Sequence, residues 1–269
     1  MEASTTHSAA KVPETLQGRI AVAGATGRAG AQVVELLESE GRDFVAMSRS
    51  TGVGLVTGDG LAEALAGVET VIDVATSPSP DEQEATEYFT AATRNLQQAA
   101  ERAGVRRIVV ASIIGCDRFS GGYQAAKVAH EKAMLAGPVP VRILRAAQFH
   151  EFVGELMGWG TQGDVSYLPK MRTQLVAARA VAKALIDLAT DPDPALITEI
   201  AGPREENLAD AARMLVARRG DSLRIEEASN PDDPDRELLA NGALLPGPDA
   251  TLAGPTFEDW LHVAGARAR

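Results

Sequence analysis

Tyr123 and Lys127 stand four residues apart in Tyr123-Gln124-Ala125-Ala126-Lys127, which puts a phenol and an ammonium on one face of a helix. Such a pair suits reduction of a carbonyl, where an alkoxide forming on the substrate needs a proton. A tyrosine with an ordinary pKa near ~10 exchanges that proton poorly at neutral pH. A neighbouring ammonium favours the phenolate and brings the value down. Ser112, at the end of the β-rich run 107–112, is placed to bond the substrate oxygen. A tyrosine packed at a helix start and a surface lysine give the same Y-x-x-x-K spacing, so the pair takes its meaning from its surroundings.

Those surroundings begin with a glycine loop. Gly24-Ala25-Thr26-Gly27-Arg28-Ala29-Gly30 follows the apolar run 19–23 and opens a helical pattern. In a strand–loop–helix unit the first glycine permits a tight turn. The second lets the backbone approach a pyrophosphate, and the third lets the helix pack on the strand. Unpaired amides and the positive end of the helix then face the anion. Thr26, Arg28 and Ala29 are expected along this ligand, a nicotinamide dinucleotide. The next β-rich run, 43–47, ends in Ser48-Arg49-Ser50, where a site for NAD usually carries Asp or Glu. Arg49 matches a 2′-phosphate in fork geometry and can stack on adenine. Arg28 offers a second positive group. The expected cofactor is therefore NADP(H). Asp59 and Gly60, in the turn 58–60, are expected beside the adenine. Ala75 and Thr76 are expected beside the ribose, whose hydroxyls Lys127 would hold. Gln148, Phe149 and His150, after the run 141–144, are expected at the substrate. His150 is the alternative acid to Tyr123, set against a loop histidine with a backbone partner. Trp159, Tyr167 and Met171 are candidate apolar walls.

These groups require a scaffold that brings loops to one edge. Between 19 and 144 short β-rich runs alternate with longer helical patterns, the signature of a parallel sheet with crossover helices. The fold class expected is α/β, a Rossmann-type, doubly wound, mostly parallel sheet with a small C-terminal lobe covering the substrate. Strands are predicted at 19–23, 43–47, 53–56, 70–75, 107–112 and 141–144. Helices are predicted from the glycine loop to 40, at 61–65, from 82 to 103 and at 123–135, with Gly41 and Gly104 as left-handed stops. Residues 1–18 read as a disordered tail, 19–150 as the cofactor-binding core and 151–269 as the lobe, the whole forming one structural domain. In the lobe the pattern predicts helices at 177–189, from an Asn207 cap to 219, and from a Thr256 cap to 261. It also predicts a strand at 196–201 and an acidic turn at 230–235.

Composition narrows the function classes. The chain has 269 residues, is 45% hydrophobic and carries a formal net charge of −11, which disfavours binding to a phosphate backbone. A single cysteine, Cys116, rules out an internal disulfide framework, and the four histidines lack metal-ligand spacing. No catalytic metal is expected. No apolar run approaches a membrane span, and the first residues lack the apolar segment of a leader. The expected setting is the cytoplasm, with a small-molecule substrate, no nucleic-acid or membrane partner, and a monomer or homodimer.

Taken together, Gly24 to Gly30, Gly58-Asp59, Ala66-Gly67-Val68-Glu69-Thr70-Val71-Ile72, Tyr123 with Lys127 and Glu131, and Leu144-Arg145-Ala146-Ala147-Gln148-Phe149 resemble the NmrA-like group of atypical short-chain dehydrogenase/reductases. The resemblance covers 19–150 closely and the rest loosely. It implies NADP(H), a Ser112–Tyr123–Lys127 constellation and a substrate cleft between sheet edge and lobe. The function expected is an NADPH-dependent oxidoreductase that reduces a carbonyl, quinone or activated alkene, with Tyr123 as proton donor. The chain departs from the family in that eleven positions separate Ser112 from Tyr123, shorter than the usual gap. The family also contains regulators that bind NADP(H) without a working tyrosine, so the alternative is a non-catalytic redox sensor.

Overall fold

The computed structural model describes residues 16–229 and 234–267. Residues 1–15 of the expected tail and most of the expected acidic turn lie outside the described residues; at 16–18 the chain is already part of the fold, with Leu16 buried and the Gly18 amide donating to Glu69.

The chain begins as regular β/α alternation: β1 (Arg19–Ala23), α1 (Arg28–Ser39), β2 (Phe44–Met47), α2 (Leu61–Ala64), β3 (Val68–Asp73), α3 (Glu82–Ala103), β4 (Arg107–Ile113), α4 (Gly122–Leu135) and β5 (Val141–Ala146). It then leaves the sheet for α5 (Phe152–Gly160), β6 (Thr161–Gln162), β7 (Val165–Pro169) and β8 (Arg172–Thr173). It returns through α6 (Ala178–Thr190) and β9 (Ile197–Ala201). A second excursion makes β10 (Glu206–Asn207), α7 (Leu208–Arg219), β11 (Arg224–Ala228) and α8 (Arg236–Ala240). A two-residue β12 (Thr251–Leu252) comes back to the sheet edge, and α9 (Phe257–Arg267) ends the described chain.

The main sheet has seven strands in the order β12-β9-β5-β4-β3-β1-β2, all paired in parallel. Both faces are covered, so the strands read as near-continuous apolar runs. Successive side chains go to opposite faces. Ile20, Val22, Val109 and Leu144 pack with Val33 and Leu37 of α1 and with Val181 and Leu185 of α6. Ala21, Ala23, Ile108, Val110 and Ile143 pack with Leu61 of α2, Leu96 of α3 and Met134 of α4. A third cluster, built on Val153, Met157, Leu168, Leu208, Leu215 and Phe257, is the core of the cover over the sheet edge. The sheet itself draws strands from both sides of position 150.

The strand predicted at 53–56 is absent. Val53 instead donates its amide to the Ser48 carbonyl at 2.9 Å, and Gly58 donates to the Gly54 carbonyl at 2.7 Å, so the segment folds on itself. The Asn95 amide of α3 holds the carbonyls of Leu55 and Val56 at 3.0 and 2.7 Å. Glycines at 52, 54 and 58 favour turns over a ladder, and these local bonds win over the β-branched composition. Caps elsewhere follow their sequence signals. Asn207 accepts the amides of Ala209 and Asp210, and Thr256 accepts that of Asp259. Gly41 and Gly104 stop their helices with φ of 65° and 74°.

Strand order reverses between β1 and β3, because the chain lays β2 on one side of β1 and β3 on the other. In open α/β sheets ligands bind beyond the strand ends at this switch point. The turn from β1 to α1 fills it. Gly24 has φ of 80°, and a Cβ there would lie 2.8 Å from the backbone of Ala75. A Cβ on Gly30 would collide with the Gly24 carbonyl and come within 2.8 Å of Ala25 Cα. Gly30→Ala is therefore expected to cost about 1–3 kcal/mol of stability, the usual range for overpacking. The measurement is the urea midpoint at unchanged slope; a wild-type midpoint would mean the loop relaxes freely around the methyl.

Candidate functional site

Two clefts meet at the switch point and share Val74, Ala75 and Thr76. The larger, about 570 Å³, runs from the glycine loop past the end of β2 and is lined by Gly24, Thr26, Gly27, Ser48, Arg49 and Asp59, among others. The smaller, about 220 Å³, lies over the ends of β4 and β5. The expected residues divide between them.

The larger cleft has the character of an anion site at one end. Gly27 caps α1 without a side-chain bond, and its own amide turns back to the Gly24 carbonyl at 2.9 Å. The amides of Thr26, Arg28, Ala29 and Gly30 have no acceptor among the described residues. Such a cradle of unpaired donors at a helix N-terminus fits a pyrophosphate. At the other end Arg49 follows β2 and makes no ion pair among the described residues. Ser48 bonds Ser50 at 2.8 Å and engages Thr51, which fixes the short turn carrying Arg49. Tyr88 of α3 joins this wall, its hydroxyl pushed up to about 12 by burial and then by Asp73. The sequence signal for Tyr88 was core spacing alone. Gly60 stays behind the wall, where a Cβ would meet the Gly52 carbonyl at 2.6 Å, so only Asp59 of that turn reaches the cleft.

Arg28 does not join Arg49. It lines the smaller cleft and forms an ion pair with Glu155 of α5, tying the glycine loop to the cover. The structure does not bring Arg28 to Arg49 as a second charge; its guanidinium meets a carboxylate beside the smaller cleft.

Ser112, Tyr123 and Lys127 all line the smaller cleft, together with Gln148, Phe149 and Phe152. Parallel pairing of β4 and β5 puts Ser112 opposite Arg145, and α4 runs beside that edge. The expected contact between Tyr123 and Lys127 is not made. The tyrosine hydroxyl shares a 2.7 Å hydrogen bond with Thr76 Oγ1. Burial raises its pKa, with the bonds to Thr76 and the Ser77 backbone pulling the other way, and no cation contributes. Spacing of four residues sets a common face; it does not say where long side chains end. Lys127 turns inward, its ammonium donating to the Ala111 carbonyl and to His130 Nδ1, both at 2.9 Å, above the Phe89 ring at 4.6 Å. Burial lowers its pKa to about 8, against the favourable fields of Asp73 and Glu131. His130 and Asp73, both buried, were missed by the sequence reading. The K-x-x-H spacing on α4 was the available signal.

Around Ser112 a second buried set closes the cleft floor. The Cys116 thiol, 3.9 Å from Ser112 Oγ, donates to Glu131 at 3.6 Å, and burial lifts its pKa to about 11. Glu131 is clamped by Arg145 at 3.0 and 2.7 Å, and Arg145 also holds Asp117. Gln148 Oε1 accepts from Thr173 at 2.7 Å, which orients the amide at the cleft.

His150 lies in neither cleft. Its Nε2 meets the Pro255 carbonyl at 3.1 Å, its ring packs on Phe257 and Trp260, and burial lowers its pKa to about 4. This corrects its placement at the substrate; helix α9, folding back over the loop, makes it a packing residue. Met171 is likewise in the core of the cover, and Tyr167 lines neither cleft. Trp159 stands exposed and packs edge-on against Phe152, whose ring lines the smaller cleft. No helix among the described residues is long and apolar enough to cross a membrane, and no group of metal-ligating side chains is found among them.

None of the curated proteins matches this chain. Solved structures match its fold across nearly its whole length. MoeE5 in complex with UDP-glucose and NAD is 20% identical, with a TM-score of 0.71 over 93% of this chain and 99% of that one. UDP-glucose 4-epimerase from Thermotoga maritima is 14% identical, with a TM-score of 0.72 over 93% and 98%. A short-chain dehydrogenase/reductase superfamily protein from Agrobacterium tumefaciens with bound NAD is 20% identical, with a TM-score of 0.65 over 93% and 97%. The family model described as NAD(P)H-binding matches residues 24–192, most of the chain and all of the glycine loop, and the protein belongs to that family.

Proposed function

We propose that this protein is an NADPH-dependent reductase acting on a carbonyl, quinone or activated alkene of a small, largely apolar molecule. The observation that carries the reading is the convergence of Ser112, Tyr123 and Lys127 on a cleft that shares its wall with the glycine-loop cleft. The loop amides would hold the pyrophosphate, and Arg49 the 2′-phosphate. When bound, the dihydronicotinamide supplies the hydride. Tyr123, kept protonated through neutral pH by burial, is the proton donor to the substrate oxygen. Ser112 orients that oxygen, and Lys127 holds the ribose hydroxyls with its charge. Phe149 and Phe152 give the substrate an apolar seat, with Gln148 as a polar contact.

A second reading rests on a specific observation: the Tyr123 hydroxyl is engaged by Thr76 and faces no cation. A sensor that binds NADP(H) without turnover has no need of an activated phenol. Screening NADPH oxidation against quinones, ketones and enones separates the two. Tight NADPH binding with no turnover across the panel would favour the sensor.

Arg49→Ala should weaken NADPH binding about tenfold or more, the weight of a lost charge-assisted hydrogen bond, and NADH binding by much less, since NADH loses only the stacking on adenine. Equal losses for both cofactors in a fluorescence titration would overturn the choice of NADP(H). Tyr123→Phe should lower kcat about 10²–10⁴-fold at unchanged NADPH affinity, as removal of a general acid does. Retained turnover would remove Tyr123 from the chemistry. Lys127 carries its charge below about pH 8 and loses it above. NADPH affinity and kcat should therefore hold through neutral pH and decline as pH passes that value; a profile flat well beyond it would count against Lys127.

A further inference from the structure

Lys127 is buried, yet its charge is met from behind the cleft wall and not from within it. Its ammonium has three N–H groups. Ala111 and His130 take two, and the third has no acceptor among the described residues, although Lys127 lines the cleft. Because Nδ1 of His130 accepts from Lys127, the neutral imidazole must carry its proton on Nε2. That nitrogen faces Asp73 Oδ2 at 3.6 Å. Asp73 is fixed in turn by the Ala75 amide, which donates to Oδ1 at 3.0 Å. Phe89 lies flat on the imidazole, with centroids 4.4 Å apart and planes 12° from parallel. The line Ala75–Asp73–His130–Lys127 thus runs from the contact with Gly24 to the cleft wall, through groups that are almost wholly buried.

We propose that His130 and Asp73 are positioning residues for Lys127: the carboxylate orients the imidazole, and the imidazole holds the ammonium in the cleft wall as a cation. This rests on the role given to Lys127 above. A buried ammonium without partners would neutralise or withdraw toward water. A cluster that served stability alone has a simpler solution in apolar side chains of the same volume. Here the cluster keeps one donor of Lys127 unspent at the cleft. The other groups that face Lys127 do not compete for it. Glu131 is engaged by Arg145, and the Cys116 thiol stays protonated at neutral pH. Tyr88, beyond Asp73 on α3, likewise stays neutral.

The test is titration of the lysine side chains by NMR in the whole protein, with and without NADPH; the chain has only five lysines to assign. In the wild type Lys127 should titrate below the others. Asp73→Asn keeps the acceptor for Ala75 and removes the charge, and should lower the Lys127 value by about one unit or more. His130→Leu should lower it as well. His130→Gln, which can still accept from Lys127 and donate to Asp73, should return it to within about half a unit of wild type. On any substrate found, the alkaline limb of kcat should move with the same titration. If Asp73→Asn and His130→Leu are folded by circular dichroism and leave the Lys127 titration unmoved, the proposal is wrong. If Asp73→Asn does not fold, the contrast between Leu and Gln at position 130 decides. The titration needs no turnover, so absence of activity would overturn the reductase reading while leaving this result standing.

Discussion

At the switch point the chain comes closer to itself than any side chain allows. The turn after β1 touches the backbone after β3 at Gly24 and Ala75, and α1 starts against that same turn at Gly30. Part of each cleft wall is positioned from this contact. It sets the start of α1 and so the direction of the free amides. It sets the end of β3, and through the Ala75 amide it orients Asp73, then His130, then Lys127. Two features that look separate in the sequence, a glycine loop and a Tyr–Lys helix, are connected by a few buried bonds.

Charge is arranged with the same economy. The chain is acidic overall, yet among the described residues Arg49 makes no ion pair at the larger cleft, whereas Arg28, Arg145 and Arg172 are each paired. An unpaired guanidinium in an acidic protein is a local attraction for a dianion, and its surroundings repel anions that approach elsewhere. The pairing of Arg28 with Glu155 works mechanically, since it fastens the loop to the cover beside the smaller cleft.

Much of the fold was legible because its signals are local. Buried parallel strands read as short apolar runs, their helices as a 3.6-residue period, and Gly41, Gly104, Asn207 and Thr256 marked ends that the structure keeps. Residues 53–56 misled because β-branched composition is a weak preference and the bonds to Ser48 and Asn95 are strong. The two-residue strands of the cover carry no period to detect. In the candidate site, the glycine loop, Arg49 and the common helix face of Tyr123 and Lys127 were visible as spacing within single elements. The partnership of Asp73 with His130 was not, since it joins β3 to α4 and depends on how the sheet seats its helices. His150 shows the converse: nothing near it in sequence says that α9 will cover it.

The path of the chain through the sheet has a consequence for how the molecule comes apart. The cover is built in two excursions, and after each the chain re-enters the main sheet, at β9 and again at β12. The two layers are interleaved, unlike beads joined by one linker. Pulling the cover away would strain the returning segments α6 and β9, which themselves complete one face of the sheet core. Two crossings between the layers therefore oppose a swing of the cover on a single hinge, and favour small slides of packed elements over rigid-body separation.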